Sequence, residues 1–161
     1  MKKLKVYLDT SIISFLYADD SPEYQKATQD FFDNYLNDYD IYISNTVLVE
    51  VDDTKDQELK DKLLEAIKKY NLRNYNIITI DVEGLATKYV KAGIIPDNKF
   101  DDALHIAFAT YHEFDILLSW NFRHIANIKK QLLVNSFNKN EGYLKELLLL
   151  NPLELIYEKR I

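Results

Sequence analysis

The chain has no cysteine among its 161 residues, only three glycines and three prolines, and a single tryptophan. Without cysteine there is no disulfide, no thiolate zinc site and no cysteine nucleophile, a composition that suits a reducing compartment. Neither a repeat period nor a low-complexity linker is present. No stretch approaches the roughly 18 apolar residues needed to span a bilayer. The opening Met1-Lys2-Lys3-Leu4-Lys5-Val6-Tyr7-Leu8-Asp9 reaches an aspartate before a signal-peptide core has built up, so the expected location is cytoplasmic, with no membrane partner. Basic residues are also scarce: 20 Lys+Arg stand against 26 Asp+Glu, a net charge of −6. A whole-chain cationic footprint is thereby excluded, although a nuclease that grips its substrate through bound cations need not be basic overall.

What the sequence does hold is apolar and aromatic. Hydrophobic residues make up 47%, with 12 Tyr and 8 Phe, enough for a sizeable core and incompatible with wholesale disorder. The length fits one domain over residues 1–161. Acidic residues concentrate between 19 and 69, in helix-like patterning that suits a solvated face, and the stretch from residue 123 onward is net basic.

Short β-rich runs alternate with helical patterns. Lys5-Val6-Tyr7-Leu8 predicts a first strand, followed at once by a helix that Thr10 and Ser11 introduce. Ser21-Pro22-Glu23 opens a helix through about Leu36, and Ile41-Tyr42-Ile43 is a second strand. Further helices carry Val47, Leu48, Glu50 and Val51, and then Leu59, Leu63, Ala66, Ile67 and Tyr70 on one face. Asn76 to Ile80 predicts a third strand and Asp81 the start of a helix ended by Gly93 and Pro96. Asp101 and Asp102 precede the nearly all-apolar Ala103 to Ala109, where Asp101 is expected to cap and Asp102 to point outward. Ile116 to Ser119 is a fourth strand, His124 to Phe137 a helix and Leu147 to Leu150 a fifth strand. This alternation predicts an α/β fold, a parallel sheet covered on both faces, with sites at the carboxyl ends of strands.

Four residues are candidates for chemistry. Asp9 follows the first strand directly, where it also suits a helix cap. Asp102 stands in the first turn of the apolar helix. Glu50, flanked by Val49 and Val51, is a carboxylate that needs a partner, and a cation is one, a lysine or open solvent another. Asn121 lies just beyond the fourth strand, at a position that a plain turn would also explain. Converging carboxylates repel each other unless a divalent cation joins them, and an all-oxygen set suits Mg²⁺ or Mn²⁺ rather than zinc. Such ions activate water and polarise phosphoryl oxygens, which makes phosphodiester hydrolysis the expected reaction class.

At these segments the chain resembles the PIN-domain nucleases, in particular the VapC-like toxins of toxin–antitoxin pairs. The matching stretches are Val6 to Ser11, Val47 to Glu50, Asp102 to Ala107 and Leu117 to Ile125. The resemblance implies a three-layer α/β/α fold with about five parallel strands and Mg²⁺- or Mn²⁺-dependent cleavage of single-stranded RNA. It also implies an acidic set of Asp9, Glu50 and Asp102, with Asp9 and Asp102 the most direct metal ligands, and a small antitoxin and homodimerisation as partners. Asn121 departs from the family's frequent aspartate, so one metal rather than two is expected. Ser119, Thr10 and Ser11 are candidates for contacting substrate or fixing carboxylates and water. Arg123, His124, Lys129 and Lys130 are candidates for phosphate contact. His105 is expected as a satisfied core histidine or as a group orienting Asp102, Trp120 as a base-stacking face or as packing under its loop, and His112 as a surface residue. An aspartyl-nucleophile phosphatase would require a second aspartate where Ser11 stands, and a receiver domain lacks its acidic pair and lysine here. The rival from another class is a PIN-like module that binds RNA or protein without cutting.

Overall fold

In the computed structural model, which describes residues 2–75, 77 and 79–156, the elements run in chain order as follows. Strand β1 (Lys5–Leu8) leads into α1 (Thr10–Ser14) and α2 (Pro22–Asp30), then β2 (Asp40–Ile43), α3 (Asn45–Asp52) and α4 (Gln57–Lys69). The second half holds β3 (Arg73–Asn74), α5 (Ile80–Lys91), α6 (Phe100–Tyr111), β4 (Ile116–Leu118), α7 (Ile128–Asn140), β5 (Leu148–Leu150) and α8 (Pro152–Leu155). The strands form one sheet in the order β3-β2-β1-β4-β5, every neighbouring pair parallel. Val6 pairs with Ile41 on one side and Ile116 on the other, so β1 is the central strand. Val6, Tyr7, Leu8, Leu117 and Leu118 are fully buried, as unbroken apolar runs require when both sheet faces are covered.

Alternation along β1 separates the two helical layers. Tyr7 points at α6, where its ring meets Phe108 and His105, so Val6 and Leu8 face the opposite layer. Helices α1, α3 and α4 touch one another, α5 packs along α6, and α7 lies against β5. The expected three-layer α/β/α arrangement is what the chain forms. Among the described residues, no helix is long and apolar enough to cross a membrane.

Several local expectations need correction. The third strand is Arg73–Asn74, not residues 76–80: Asn76 and Ile78 lie outside the described residues, and Ile80 already belongs to α5. The Thr79 side chain accepts the Val82 N–H and caps that helix, with Asp81 and Glu83 in its first turn, so local capping overrides the β-branched pattern. After Asp30 the second helix widens over Phe31–Tyr35 and tightens over Leu36–Asp38, burying Phe31, Phe32 and Tyr35. The seventh helix starts at Ile128 rather than His124, because Asn127 caps it through Lys130 N–H at 2.8 Å. Helix α6 starts at Phe100 with Lys99 in the cap position, which puts Asp101 inside the first turn instead of capping it.

The chain builds β1, β2 and β3 to one side and then returns to add β4 and β5 on the other. Connections therefore diverge from the carboxyl ends of β1 and β4, and a crevice opens at that reversal.

Candidate active site

Asp9 leaves the end of β1 into this crevice and is 96% shielded from solvent. It occupies the cap position of α1, yet its carboxylate makes no capping bond. Instead it accepts hydrogen bonds from Ser11 Oγ at 2.5 Å and from Ser119 Oγ, one on each oxygen. Ser119, just past β4, is fully buried and in turn accepts the Asn121 N–H at 2.9 Å. Ser11 Oγ likewise accepts the Trp120 N–H at 2.9 Å. The two serine hydroxyls thus tie the end of β1 to the end of β4, and both donate to Asp9.

Asp102, in the first turn of α6, reaches the same loop from the other direction. Its Oδ2 accepts the Asn121 side-chain amide at 3.1 Å, while Asn121 Oδ1 accepts the His124 N–H at 2.9 Å. Asp9 and Asp102 are therefore linked through Ser119 and Asn121 rather than lying on opposite sides of the molecule.

Glu50 projects from α3 at the rim. Its Oε1 accepts Thr10 Oγ1 at 2.9 Å and faces His105 Nε2 at 2.6 Å. The partner that a half-buried glutamate needs is thus a buried imidazole. His105 Nδ1 lies 2.6 Å from the Tyr7 hydroxyl, which is also 2.6 Å from Ser44 Oγ. A continuous polar line runs from Ser44 through Tyr7 and His105 to Glu50 and Thr10 inside an otherwise apolar layer. His105 is both a core histidine, 2% exposed, and a group bound to the site.

The electrostatics divide the three carboxylates. Burial pushes the Asp9 carboxyl above the usual range, against the opposing pull of His105, Ser11 and Ser119. Burial also raises Asp102, opposed by His105, His124 and Asn121. Glu50 feels the same burial, but the hydrogen bond and charge of His105, with Thr10, outweigh it and hold its carboxyl below the usual range. His105 is affected oppositely: burial disfavours its cation, and Glu50, then Asp9 and Asp102, outweigh that and raise it. Among the described residues no ion pair reaches Asp9 or Asp102.

The bonds these side chains already make decide how they suit a cation. Among the described residues no three His, Asp or Glu side chains form a ready-made metal cage. Their oxygens are turned to Ser11, Ser119, Asn121, Thr10 and His105. An ionised carboxylate keeps lone pairs beyond such bonds. The donor chemistry therefore suits a hard divalent cation, with Asp9 and Asp102 short of positive charge and Glu50 already supplied with it.

A polar cleft of about 400 Å³ opens here, lined by Glu50, Asp97, Lys99, Asp101, Asp102 and Asn121. Lys99 is a further cation at the cleft, and its place just ahead of an acid-rich helix start is the one sequence signal for it. Arg123 is exposed two residues beyond Asn121. Lys130 is instead committed to the Ile94 carbonyl. Trp120 is buried, donates from its indole to Thr28 Oγ1 at 2.8 Å and packs on Phe15, Tyr24 and Phe122, so it braces the loop and offers no stacking face. His112 is half-buried between Tyr75 and Phe108 rather than a surface residue.

No protein-family model matches the chain, and neither does any curated protein. Among solved structures it is similar to the crystal structure of VapBC2 from Rickettsia felis bound to a DNA fragment from their promoter. The identity is 20% and the TM-score 0.54, over 91% of this chain and 97% of that chain. At this identity the likeness establishes the fold, a PIN-like three-layer arrangement around a five-stranded parallel sheet.

Proposed function

We propose that the protein is a metal-dependent endoribonuclease that hydrolyses phosphodiester bonds of single-stranded RNA. The observation that carries this reading is the pairing of Asp9 with Asp102 through Ser119 and Asn121, two carboxylates at the sheet's reversal point with no Lys or Arg partner among the described residues. Mg²⁺ or Mn²⁺ held by Asp9 and Asp102, with Glu50 at its edge, would supply charge neutralisation at a phosphoryl oxygen and a more acidic bound water. The chain's own groups do the rest. Ser11 and Ser119 keep the Asp9 carboxylate oriented, and Thr10 does the same for Glu50. Asn121 holds Asp102 and supplies no charge, so one ion rather than two is bound. Glu50, positioned by His105 and Thr10, serves either as a ligand through water or as the acceptor of the proton that leaves the attacking water, and Lys99 and Arg123 meet the substrate phosphates.

The VapBC2 likeness supports a role as the toxin of a toxin–antitoxin pair, with a small antitoxin protein as partner; a homodimeric state and a cytoplasmic location are part of the same proposal. A second reading, a PIN-like module that binds RNA or protein without cleaving it, is favoured by one observation: the Glu50 carboxylate is already bound by His105 and Thr10.

Labelled single-stranded RNA incubated with the protein in Mg²⁺, Mn²⁺ or EDTA distinguishes the two. Cleavage is expected with either metal and is lost in EDTA and in Asp9→Asn and Asp102→Asn. RNA that stays intact under all conditions, with no Mn²⁺-dependent rise in Tm, supports the binding module.

A further inference from the structure

A second cavity adjoins the polar cleft, and the two share Glu50 and Asp101. It has a volume of about 250 Å³ and lies where α3, α5 and α6 meet. Val49, Val82, Leu104 and Phe108 belong to its apolar lining, and its polar lining includes the charged Glu50, Glu83 and Asp101 beside neutral hydroxyl and amide groups. The register of α6 explains the division. Asp101, Leu104 and Phe108 recur at helical spacing and face this cavity, while Asp102 and His105 lie on the neighbouring stripe and face Asn121 and Glu50. Val49 remains 58% exposed in spite of its apolar side chain.

We infer that this cavity binds a guanine base of the RNA next to the phosphate that enters the cleft. The volume is below the roughly 300–1,000 Å³ of drug-sized sites, which suits one flat ring system. Apolar walls with one aromatic ring take the faces of an unstacked base, the usual mode for single-stranded RNA. The polar lining selects the base. Among the described residues its charged groups are all carboxylates, and no Lys or Arg lines the cavity. A carboxylate accepts two parallel N–H bonds, and guanine offers N1–H and N2–H side by side. Adenine and cytosine present a single amino group there, and uracil places a carbonyl on either side of its one N–H, against the acids. Because Glu50 and Asp101 border both cavities, a base here holds its 3′ or 5′ phosphate in the cleft.

This inference rests on the RNA-cleavage reading but is tested by binding, so the two fail separately. Single-stranded hexamers carrying one guanine, inosine, adenine or uracil in a fixed background are titrated against the full chain in EDTA, with fluorescence anisotropy as readout. The guanine hexamer is expected to bind about tenfold tighter than the inosine one, which lacks only the N2 amine. Val49→Trp, which fills the cavity from its exposed wall, and Asp101→Asn, a surface change, are each expected to bring that ratio to within twofold of unity with melting temperature retained. Equal affinities for all hexamers, or a guanine preference that survives both variants, would overturn the assignment. So would displacement of RNA by arginine amide with no discrimination among bases, which would mark the cavity as a site for cationic peptide side chains. Loss of cleavage with the guanine preference intact sinks only the nuclease reading.

Discussion

His105 Nε2 stands 2.6 Å from Glu50 Oε1 while its other ring nitrogen meets the Tyr7 hydroxyl at the same distance. Burial holds the Tyr7 phenol well above its ordinary range, so it remains an O–H donor. A neutral ring accepts this bond at Nδ1 and donates from Nε2 to Glu50 while Tyr7 accepts from Ser44; in the cation that Glu50 favours, both ring nitrogens donate and Tyr7 donates to Ser44, so every group in the line is satisfied in either state. The sheet's central strand thereby fixes, through one buried ring, the direction of a carboxylate carried by α3.

Removing the ring exposes what it does. In His105→Ala the buried Tyr7 hydroxyl and Glu50 both lose a partner, with an expected cost of about 3 kcal/mol in stability. His105→Gln keeps an amide donor within reach of Glu50 and is expected to lose about 1 kcal/mol, with cleavage between that of wild type and the alanine variant. Denaturant melts and RNA cleavage run side by side check this order; equal effects of the two substitutions would show that only packing matters.

Much of this arrangement was legible in the sequence, for a physical reason. Strands buried on both faces cannot carry charge, so the abrupt step from Val6-Tyr7-Leu8 to Asp9 marks where a strand leaves the core, as does Leu118 to Ser119. What stayed hidden depends on distance across the chain. Tyr7 and Ser44 are 37 residues apart and Glu50 and His105 are 55 apart, and no local pattern announces that they meet. The third strand escapes local pattern because its pairing takes only two residues at the sheet edge, whereas Thr79 after it caps a helix. His105 was read as a core residue or a helper of Asp102; it is buried, and the carboxylate it touches is Glu50.

Ser119 offers a test of how Asp9 is held. Its hydroxyl donates to Asp9 and accepts from the Asn121 amide, so Ser119→Ala loosens both the carboxylate and the loop that carries Asn121. Groups that orient a metal ligand typically contribute 10–100-fold to affinity or activity. Cleavage by Ser119→Ala is expected to fall by about that factor at low Mn²⁺ and to recover in part as Mn²⁺ is raised. Full activity at all concentrations would assign the serine to folding alone.

Asp102 tests the opposite balance, between stability and function. Half-burial, with no ion pair among the described residues, makes its charge unfavourable to the fold, and an asparagine keeps most of its shape. In the metal-free protein, Asp102→Asn is expected to match or exceed the wild-type Tm while cleaving no RNA, the pattern of a site kept at some cost to stability. Adding Mn²⁺ should then raise the wild-type Tm above that of the variant. A variant several degrees less stable than wild type without metal would mean that Asp102 is chiefly a structural partner of Asn121.

Asp115 provides the control at the far end of the sheet. Its Oδ2 accepts the Lys5 N–H and its Oδ1 pairs with Lys145, both at 2.8 Å, joining the amino ends of β1 and β4. Burial acts to raise its carboxyl, but Lys145 and the Lys5 amide outweigh it and hold the group below the usual carboxylate range. A folded-state value depressed in this way contributes stability above the unfolded value of about 3.9, and that contribution disappears as pH falls through the folded value. Asp115→Asn is therefore expected to lower Tm by a constant amount from about pH 5 to 8, with the gap to wild type closing below about pH 4. RNA cleavage at neutral pH should be unchanged, since Asp115 lies at the strand ends opposite to Asp9 and Asp102. A gap that persists undiminished at about pH 3 would locate the loss in packing rather than in the charge of Asp115.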